Sequence, residues 1–185
     1  MSEPDRAEIE RVKREADLLY PKSAVDTAVA RMAGAITARL EHARPILLVT
    51  MTGGIVPAAL LLPHLDFPLQ VDYLHLTRYG NATSGGEIEW IRRPSSAVTG
   101  RSVLIVDDLL DHGLTLQTAV QECFTQGAEA VLTAVLVVKE IAARPGLQQT
   151  DFFALTTPDR YLFGYGMDYK TYWRNGPGIY AVRGM

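Results

Sequence analysis

Three aspartates directly follow an apolar segment in the middle of the chain. Residues 103–106 read Val-Leu-Ile-Val, Asp107, Asp108 and Asp111 follow them, and residues 113–115 read Gly-Leu-Thr. In an open parallel sheet, ligands bind beyond the carboxyl ends of the strands, where a helix N-terminus presents free N–H groups to an anion. Carboxylates would repel a phosphate in direct contact, so they suit hydroxyl groups or a divalent cation beside it. The pattern therefore predicts a sugar-phosphate site.

The elements that must position these aspartates alternate along the chain. Apolar runs predict strands at residues 45–50, 70–77, 102–107 and 129–138. A charged stretch predicts a helix at residues 3–19, apolar residues at helical spacing predict one at 23–41, and further helices are predicted between strands at 55–63 and 115–126. Such alternation predicts an α/β fold with a mostly parallel central sheet flanked by helices.

Two local patterns refine this prediction. Ser23 is a suitable cap for the second helix because its hydroxyl can accept a hydrogen bond from a free N–H group. Residues 80–87 consist mostly of Gly and small polar residues and have no apolar anchor. We expect this segment to be mobile and to act as a lid.

Size and composition exclude several classes of protein. A length of 185 residues predicts one domain, and 48% hydrophobic with 21% charged residues predicts a globular protein. No apolar run is long enough to cross a membrane, and the charged residues 1–14 do not form a secretory signal, so we expect a cytoplasmic location. A net charge of −3 without a basic cluster argues against nucleic acid. Cys123, the one cysteine, is expected to be a core residue.

Four further motifs accompany the aspartates. In chain order they are Met-Thr-Gly-Gly at residues 51–54, Arg-Tyr-Gly at 78–80, Val-Val-Lys at 137–139 and Phe-Gly-Tyr-Gly-Met-Asp-Tyr at 163–169. Together with residues 103–115 they resemble the hypoxanthine-guanine phosphoribosyltransferases, which are type I phosphoribosyltransferases, over residues 18–182.

The resemblance implies a fold, a reaction and partners. The fold would be a single phosphoribosyltransferase domain over residues 1–185, with a small hood formed by the terminal segments. The reaction would join hypoxanthine or guanine to 5-phosphoribosyl 1-pyrophosphate (PRPP) with Mg²⁺, giving IMP or GMP and pyrophosphate. A homodimer or homotetramer is implied, with the apolar helix face at residues 55–62 as either a subunit contact or ordinary core.

For the PRPP ribose and its phosphate, the resemblance assigns the paired acids and the loop after them. Asp107 and Asp108 would bind the ribose hydroxyls directly or through Mg²⁺, and Asp168 would join them as a metal ligand. Asp107 is shorter than the glutamate that is common in the family. The loop residues assigned to the ribose and phosphate are Asp111, His112, Gly113, Leu114 and Thr115.

Asp111 has two competing interpretations. The resemblance makes it the catalytic residue, hydrogen-bonded to N7 of the purine and moving the proton that must leave the ring. It could instead cap the helix that follows. His112 replaces a hydroxyl residue of the family, which predicts phosphate binding that depends on pH.

For the pyrophosphate, the resemblance assigns Thr52, Gly53, Gly54 and Arg174. A simple glycine turn is the alternative at residues 51–54. Thr52 stands where a basic residue is common, which leaves more of the charge to Mg²⁺ and Arg174. Arg144 is a further candidate by approximate spacing.

For the purine, the resemblance assigns Lys139, Tyr161, Leu162 and Asp168. The Lys139 ammonium can donate to O6 of a 6-oxopurine, whereas adenine presents a donor there. A solvated lysine is the alternative. Tyr161 would stack on the base and Leu162 would offer backbone contacts, although Tyr161 and Tyr165 could equally be core aromatics.

Arg78 and Tyr79 would open a lid over residues 78–88, which the chemistry needs because water must be kept from the activated ribose. Two other functions stay open at this point. One is a non-catalytic nucleotide-sensing regulator on the same fold, and the other is a phosphoribosyltransferase for another base such as xanthine.

Overall fold

Two β-sheets and four α-helices form the part of the chain that the computed structural model describes, which is residues 4–79 and 87–184. The helices are α1 (Arg6–Glu15), α2 (Lys22–Leu40), α3 (Ile55–Leu61) and α4 (Leu114–Thr125). The strands are β1 (Asp17–Pro21), β2 (Ile46–Met51), β3 (Gln70–Tyr79), β4 (Glu87–Arg92), β5 (Ser102–Leu110), β6 (Ala130–Glu140), β7 (Phe152–Pro158), β8 (Leu162–Phe163) and β9 (Gly178–Ala181). Short 3₁₀ helices span Leu62–His64 and Ser96–Val98.

The larger sheet is mostly parallel and has the strand order β4-β3-β2-β5-β6-β7. Strand β4 is antiparallel to β3, and the other neighbours are parallel. The carboxyl ends of β2, β5, β6 and β7 therefore meet at one edge. The predicted α/β fold with a mostly parallel sheet is confirmed.

The central strands are apolar throughout because both faces of the sheet are covered. Along β2, Leu47 and Val49 pack in the core beneath α2 and α3, while Ile46 and Leu48 pack in the core beneath α4. Full burial of such a side chain contributes about 1.5–3 kcal/mol to stability. Cys123 lies on the buried face of α4, as predicted, and burial raises the pKa of its thiol to about 12.

A smaller antiparallel sheet, with strand order β1-β9-β8, lies at the carboxyl edge. It joins a segment near the start of the chain to segments near its end, as the implied hood of terminal segments requires. We call residues 17–21 and 162–181 the hood. Phe163 is fully buried there and stacks on Tyr180 with a centroid distance of 5.3 Å. Leu162 and Ile179 are buried in the core beneath α2, which fixes the hood to the main sheet.

The N-terminal predictions need correction. The helix predicted at residues 3–19 ends at Glu15, and the chain continues as β1 because its backbone pairs with the distant β9. Ser23 does not cap α2, which begins at Lys22 with Pro21 at the N-cap position and no side-chain cap bond. The sequence interpretation also missed β4 and β7, the two edge strands of the larger sheet.

The helices have ordinary lengths for a globular fold. Across the described ranges, none combines the length and apolar character needed to span a membrane.

Candidate functional site

A cleft of about 400 Å³ opens at the carboxyl edge of the larger sheet, between the strand ends and the hood. Loops after β2 and β5, the end of β6 and the hood segment after β8 contribute to it. The sequence-predicted residues that line the cleft are Thr52, Gly53, Asp107, Asp108, Asp111, His112, Gly113, Thr115, Lys139, Tyr161, Leu162, Asp168 and Arg174. Residues far apart in the chain are thus brought together at one edge because parallel strands end there.

The remaining predicted residues are placed differently. Gly54 is buried behind the cleft, where its N–H donates to the carbonyl of Thr50 at 2.8 Å. Leu114 is the first residue of α4 and does not line the cleft. The side chains of Arg78 and Tyr79, and the rest of the predicted lid over residues 80–86, lie outside the described part of the structure.

The carboxylate of Asp111 and the ammonium of Lys139 form an ion pair in the cleft. Their Oδ2 and Nζ atoms are 3.3 Å apart, and Asp159 Oδ1 lies 3.3 Å from the same ammonium. His112 Nδ1 is also 3.3 Å from Asp111 Oδ2. One buried lysine thus lies between two carboxylates, and one of them also faces an imidazole.

Two alternatives from the sequence are removed by this arrangement. Asp111 does not cap α4, because Gly113 holds the N-cap position and no side chain caps the helix. Lys139 is not a solvated strand-end lysine, because only 8% of it is exposed. A buried lysine needs polar partners, and here both partners are carboxylates.

The loop at residues 111–115, which we call the phosphate loop, is supported from behind by residues 142–150. Gly146 N donates to His112 O at 3.0 Å, and Leu147 N donates to Gly113 O at 3.1 Å. Gly113 has a φ of 76°, and a side chain there would collide with the Leu147 backbone. These contacts turn the loop so that the free N–H groups at the start of α4 can receive an anion.

Arg144 ties the phosphate loop to the end of β6. Its guanidinium donates to Asp111 O at 2.8 Å, to Gln148 O at 3.1 Å and to Lys139 O. It does not line the cleft. The structure therefore gives Arg144 a supporting role in place of pyrophosphate binding. Its guanidinium fixes the backbone at Asp111 and Lys139, the two residues of the ion pair.

The paired acids at the end of β5 lie in a site that disfavours their charge. Burial raises the pKa of Asp107, although hydrogen bonds from the Thr50 hydroxyl and the Asp108 N–H oppose this. Burial, followed by the charge of Asp107, raises the pKa of Asp108 well above its usual range. The charged form of such a pair is stabilised by a ligand that brings hydroxyl donors or positive charge.

Arg174 lies between Asp108 and the hood carboxylate Asp168. Its Nη2 is 2.6 Å from Asp168 Oδ1, and its Nη1 is 3.8 Å from Asp108 Oδ2. Nη1 also donates to Gly166 O at 2.6 Å. The guanidinium therefore joins the hood to the strand-end acids and still faces the cleft.

The loop of residues 51–54 packs closely against the strand-end acids. A Cβ atom on Gly53 would collide with the carboxylate of Asp108, so any larger residue there would have to displace that carboxylate. The peptide bond between Met51 and Thr52 is cis. Thr52 and Gly53 line the cleft at the end of β2, next to the acids at the end of β5.

The two tyrosines that sequence reasoning left open have different surroundings. Tyr161 lines the cleft, is 42% exposed and makes an edge contact with Tyr169 at a centroid distance of 5.7 Å. Tyr165 is buried in the core beneath α2. Tyr161 is thus available to a planar ligand, and Tyr165 is a core aromatic.

Asp159, the second partner of Lys139, was missed by sequence reasoning. It directly follows β7, an edge strand that the sequence interpretation also missed. Had residues 152–158 been recognised as a parallel strand, the rule that pointed to Asp107 would have pointed to Asp159 as well.

The cleft can supply oxygen ligands to a divalent cation. Among the described residues, no three His, Cys, Asp or Glu side chains converge as a ready ligand set. Magnesium, however, usually takes one or two protein carboxylates and completes its shell with water and substrate phosphate oxygens. Asp108 and Asp168 offer two such carboxylates in the cleft, where the Arg174 guanidinium now lies between them and the charge of Asp168 adds to the raised pKa of Asp108.

The fold and the site together define the class of protein to which this chain belongs. Paired strand-end acids, an anion-receiving helix N-terminus and a buried lysine in one α/β cleft suit a sugar phosphate with a heterocyclic base. Residues 16–170 match the family model described as phosphoribosyl transferase domain. The chain belongs to the phosphoribosyltransferase family.

Individual relatives narrow the comparison. The chain is 29% identical over 167 residues to the hypoxanthine-guanine phosphoribosyltransferase of Bacillus subtilis, covering 90% of this chain and 92% of the relative. It is 30% identical over 152 residues to the enzyme of that name from Lactococcus lactis, covering 80% of each. A solved hypoxanthine-guanine phosphoribosyltransferase from Bacillus anthracis superposes with a TM-score of 0.81 at 25% identity, covering 90% of this chain and 97% of the other. The fold is that of the type I phosphoribosyltransferases.

Proposed function

We propose that this protein transfers the phosphoribosyl group of PRPP to hypoxanthine or guanine, giving IMP or GMP and pyrophosphate in purine salvage. The observation that carries the proposal is the buried pair of Asp111 and Lys139 in the cleft beside the strand-end acids. The relatives named for this reaction support it. They do not favour a purely regulatory role.

The choice of a 6-oxopurine rests on Lys139. Its buried ammonium can donate only, so it pairs with the O6 carbonyl oxygen of hypoxanthine or guanine and not with the amino group of adenine. Tyr161 offers a ring face at the same end of the cleft, and the backbone at Leu162 supplies further polar groups. A site built to hydrogen-bond one substituent rejects analogues that lack it.

The PRPP end of the cleft is divided between two loops. The phosphate loop, with Gly113 and Thr115, receives the 5′-phosphate at the start of α4, and Asp107 and Asp108 accept hydrogen bonds from the ribose hydroxyls. Thr52, Gly53 and Arg174 face the pyrophosphate. Cation binding is proposed for Asp108 and Asp168, with Asp107 as a further oxygen donor, and bound Mg²⁺ would neutralise part of the negative charge of the pyrophosphate.

Asp111 has the position needed for proton transfer. A carboxylate held beside the ammonium that binds O6 faces N7 of the same purine ring, where it can accept a hydrogen bond or a proton. With the base protonated at N7, the N9 lone pair bonds to the ribose carbon as its bond to the pyrophosphate oxygen breaks, and the N7 proton goes to Asp111. The positive charge of Arg174 stabilises the departing pyrophosphate.

Self-association and location are part of the same proposal. Ala58 and Leu61 of α3 are core residues, whereas Ile55 is 46% exposed, and Val71 and Tyr73 are exposed on one face of β3. We propose that the face of β3 with Val71 and Tyr73 contacts a second copy of the chain. Size-exclusion chromatography with light scattering of wild type and Val71→Glu tests it, because the variant should be monomeric and an unchanged mass would contradict the assignment. The proposed location is the cytoplasm.

The deciding experiment is a spectrophotometric assay with PRPP and Mg²⁺, offering hypoxanthine, guanine, xanthine, adenine, orotate and uracil separately. Formation of IMP and GMP with little product from adenine, orotate or uracil is the expected result. Rapid turnover of xanthine would widen the substrate class to all 6-oxopurines. Absence of product with every base, while PRPP or nucleotide still binds in calorimetry, would contradict catalysis and favour a nucleotide-sensing protein.

A further inference from the structure

Helix α1 contacts the hood and contributes nothing to the two larger cores. None of its residues is buried. Its apolar Val12, together with Ala16 just after it, packs against the hood residues Phe163 and Tyr169 and against Val182 just after the hood. The helix is therefore placed to act on the hood, since it does not support the main sheet.

Two residues of α1 bind the hood loop, which we define as residues 168–174. Glu8 Oε1 accepts hydrogen bonds from the Tyr169 hydroxyl and from Lys170 Nζ, each at 2.7 Å. The indole N–H of Trp173 donates to the carbonyl of Ile9 at 2.8 Å. The helix thus contacts both the first and the second half of the hood loop.

Lys13 adds a contact of another kind. Among the described residues its buried Nζ has no hydrogen-bond acceptor. It lies over the Tyr180 ring and is 5.8 Å and 6.0 Å from the ring centroids of Phe163 and Trp173. A cation removed from water can be stabilised by aromatic faces in this way.

The hood loop needs such support because its backbone is unfavourable on its own. Lys170, Thr171 and Trp173 have φ values of 49°, 75° and 67°. Left-handed backbone is uncommon for residues other than glycine, and above all for β-branched residues such as Thr171, so it persists only where surrounding contacts fix it.

The two ends of this loop are cleft residues. Asp168 begins it, Arg174 ends it, and their side chains pair at 2.6 Å. The other carboxylate oxygen of Asp168 accepts a hydrogen bond from the strained Thr171 N–H at 2.6 Å. Any change in the backbone of the loop therefore moves the carboxylate and the guanidinium that face the PRPP end of the cleft.

We infer that α1 positions Asp168 and Arg174 for PRPP, with Glu8 as its main positioning residue. We call the contacts of Glu8 and Ile9 with the hood loop the latch. The inference rests on the proposed function for the identity of the ligand. It assigns a role in PRPP binding to a helix that touches no substrate. Loss of the latch weakens binding at the pyrophosphate side and leaves the purine side, around Lys139, unchanged.

The test uses Glu8→Ala and Glu8→Gln with Glu10→Gln as the matched control. Glu10 lies on the same helix but pairs only with Arg6, one turn away, among the contacts of the described residues. All variants are made in a Trp90→Phe background, which leaves Trp173 as the sole tryptophan. Its fluorescence reports docking of α1 without requiring turnover.

Three measurements are compared: Trp173 emission, the dissociation constant of pyrophosphate with Mg²⁺ by calorimetry, and the KM values for PRPP and hypoxanthine. For Glu8→Ala we expect red-shifted emission and roughly two- to fivefold weaker pyrophosphate and PRPP binding, the range of one exposed ion pair. The KM for hypoxanthine should stay unchanged, and Glu10→Gln should match the parent.

The possible failures are distinct. Shifted emission with unchanged pyrophosphate and PRPP constants would make α1 a purely structural attachment and overturn the inference. Unchanged emission would show that Glu8 does not hold the helix, and would overturn it as well. If the parent turns over no base, the proposed function fails, while emission and pyrophosphate binding still decide whether the latch exists.

Discussion

The ammonium nitrogen of Lys139 lies 3.3 Å from Oδ2 of Asp111, although the two residues end different strands of the sheet. In the proposed reaction, the first group recognises O6 of the purine and the second accepts its proton. The pair therefore couples recognition of the base to the chemical step. Substitutions of the two partners should separate these roles.

Asp111→Asn removes the negative charge and the proton acceptor but keeps the shape of the side chain. We expect kcat to fall about 100- to 10,000-fold, the usual contribution of general acid–base catalysis, with little change in PRPP affinity. Steady-state kinetics and calorimetry measure the two quantities. Asp159→Asn is the control, because it alters the other, more exposed partner of the same lysine and should cost much less. Equal losses of kcat and PRPP affinity would reduce Asp111 to a binding residue.

Lys139→Met replaces the ammonium by an apolar group of similar length. The KM for hypoxanthine should rise about 10- to 100-fold, because a charge-assisted hydrogen bond contributes roughly 1.5–3 kcal/mol. Discrimination against adenine should weaken in the same variant. Initial rates with the two bases measure both effects, and an unchanged KM for hypoxanthine would show that O6 is bound elsewhere.

Arg144→Lys tests whether the guanidinium positions the paired residues. One ammonium cannot replace a planar fork that donates to three carbonyl oxygens, so we expect kcat to fall about tenfold while the fold is retained. Arg101→Lys is the matched control, since Arg101 donates to Arg44 O and Gln70 at the opposite edge of the sheet. Circular dichroism and steady-state rates are compared, and equal losses in both variants would contradict a specific role.

Asp108→Asn should stabilise the free protein while impairing its activity. Burial and the charge of Asp107 raise the pKa of Asp108, so the charged form is disfavoured in the folded state. Removing that disfavoured charge should therefore raise the free energy of unfolding, which thermal unfolding would show as a higher Tm. Asp66→Asn, at an exposed position, should leave Tm unchanged.

The stability gained by Asp108→Asn relative to wild type should depend on pH in a defined way. A raised folded-state pKa means that the stability contribution of Asp108 is complete below its unfolded pKa and is lost as pH rises through the folded value. The Tm difference between Asp108→Asn and wild type should therefore be largest at neutral pH and shrink toward acid, where Asp108 is protonated. Thermal unfolding between pH 5 and 8 measures this, and a gap that widens toward acid would contradict the assignment.

The sequence by itself determined the four inner strands of the main sheet and most of the residues that line the cleft. Apolar runs such as residues 103–106 must be buried on both faces, and burial of that kind requires a parallel strand covered by helices. The acids that follow such a strand then lie at its carboxyl end, as do Asp107 and Asp108. Local pattern was enough here because the strand, the turn and the helix start are contiguous in the chain.

Tertiary structure alone decided the partners of these residues. Spacing in the sequence does not predict the ion pairs of Lys139 with Asp111 and Asp159. It does not predict the hydrogen bonds from Arg144 to the backbone either, because each of these contacts joins segments that meet only when the strands align. The N-terminal segment behaved in the same way, because residues 17–21 have helical neighbours and become a strand through pairing with residues 178–181. Contacts over long sequence separation depend on the packing of the whole fold, whereas the strand and helix patterns depend on residues only a few positions apart.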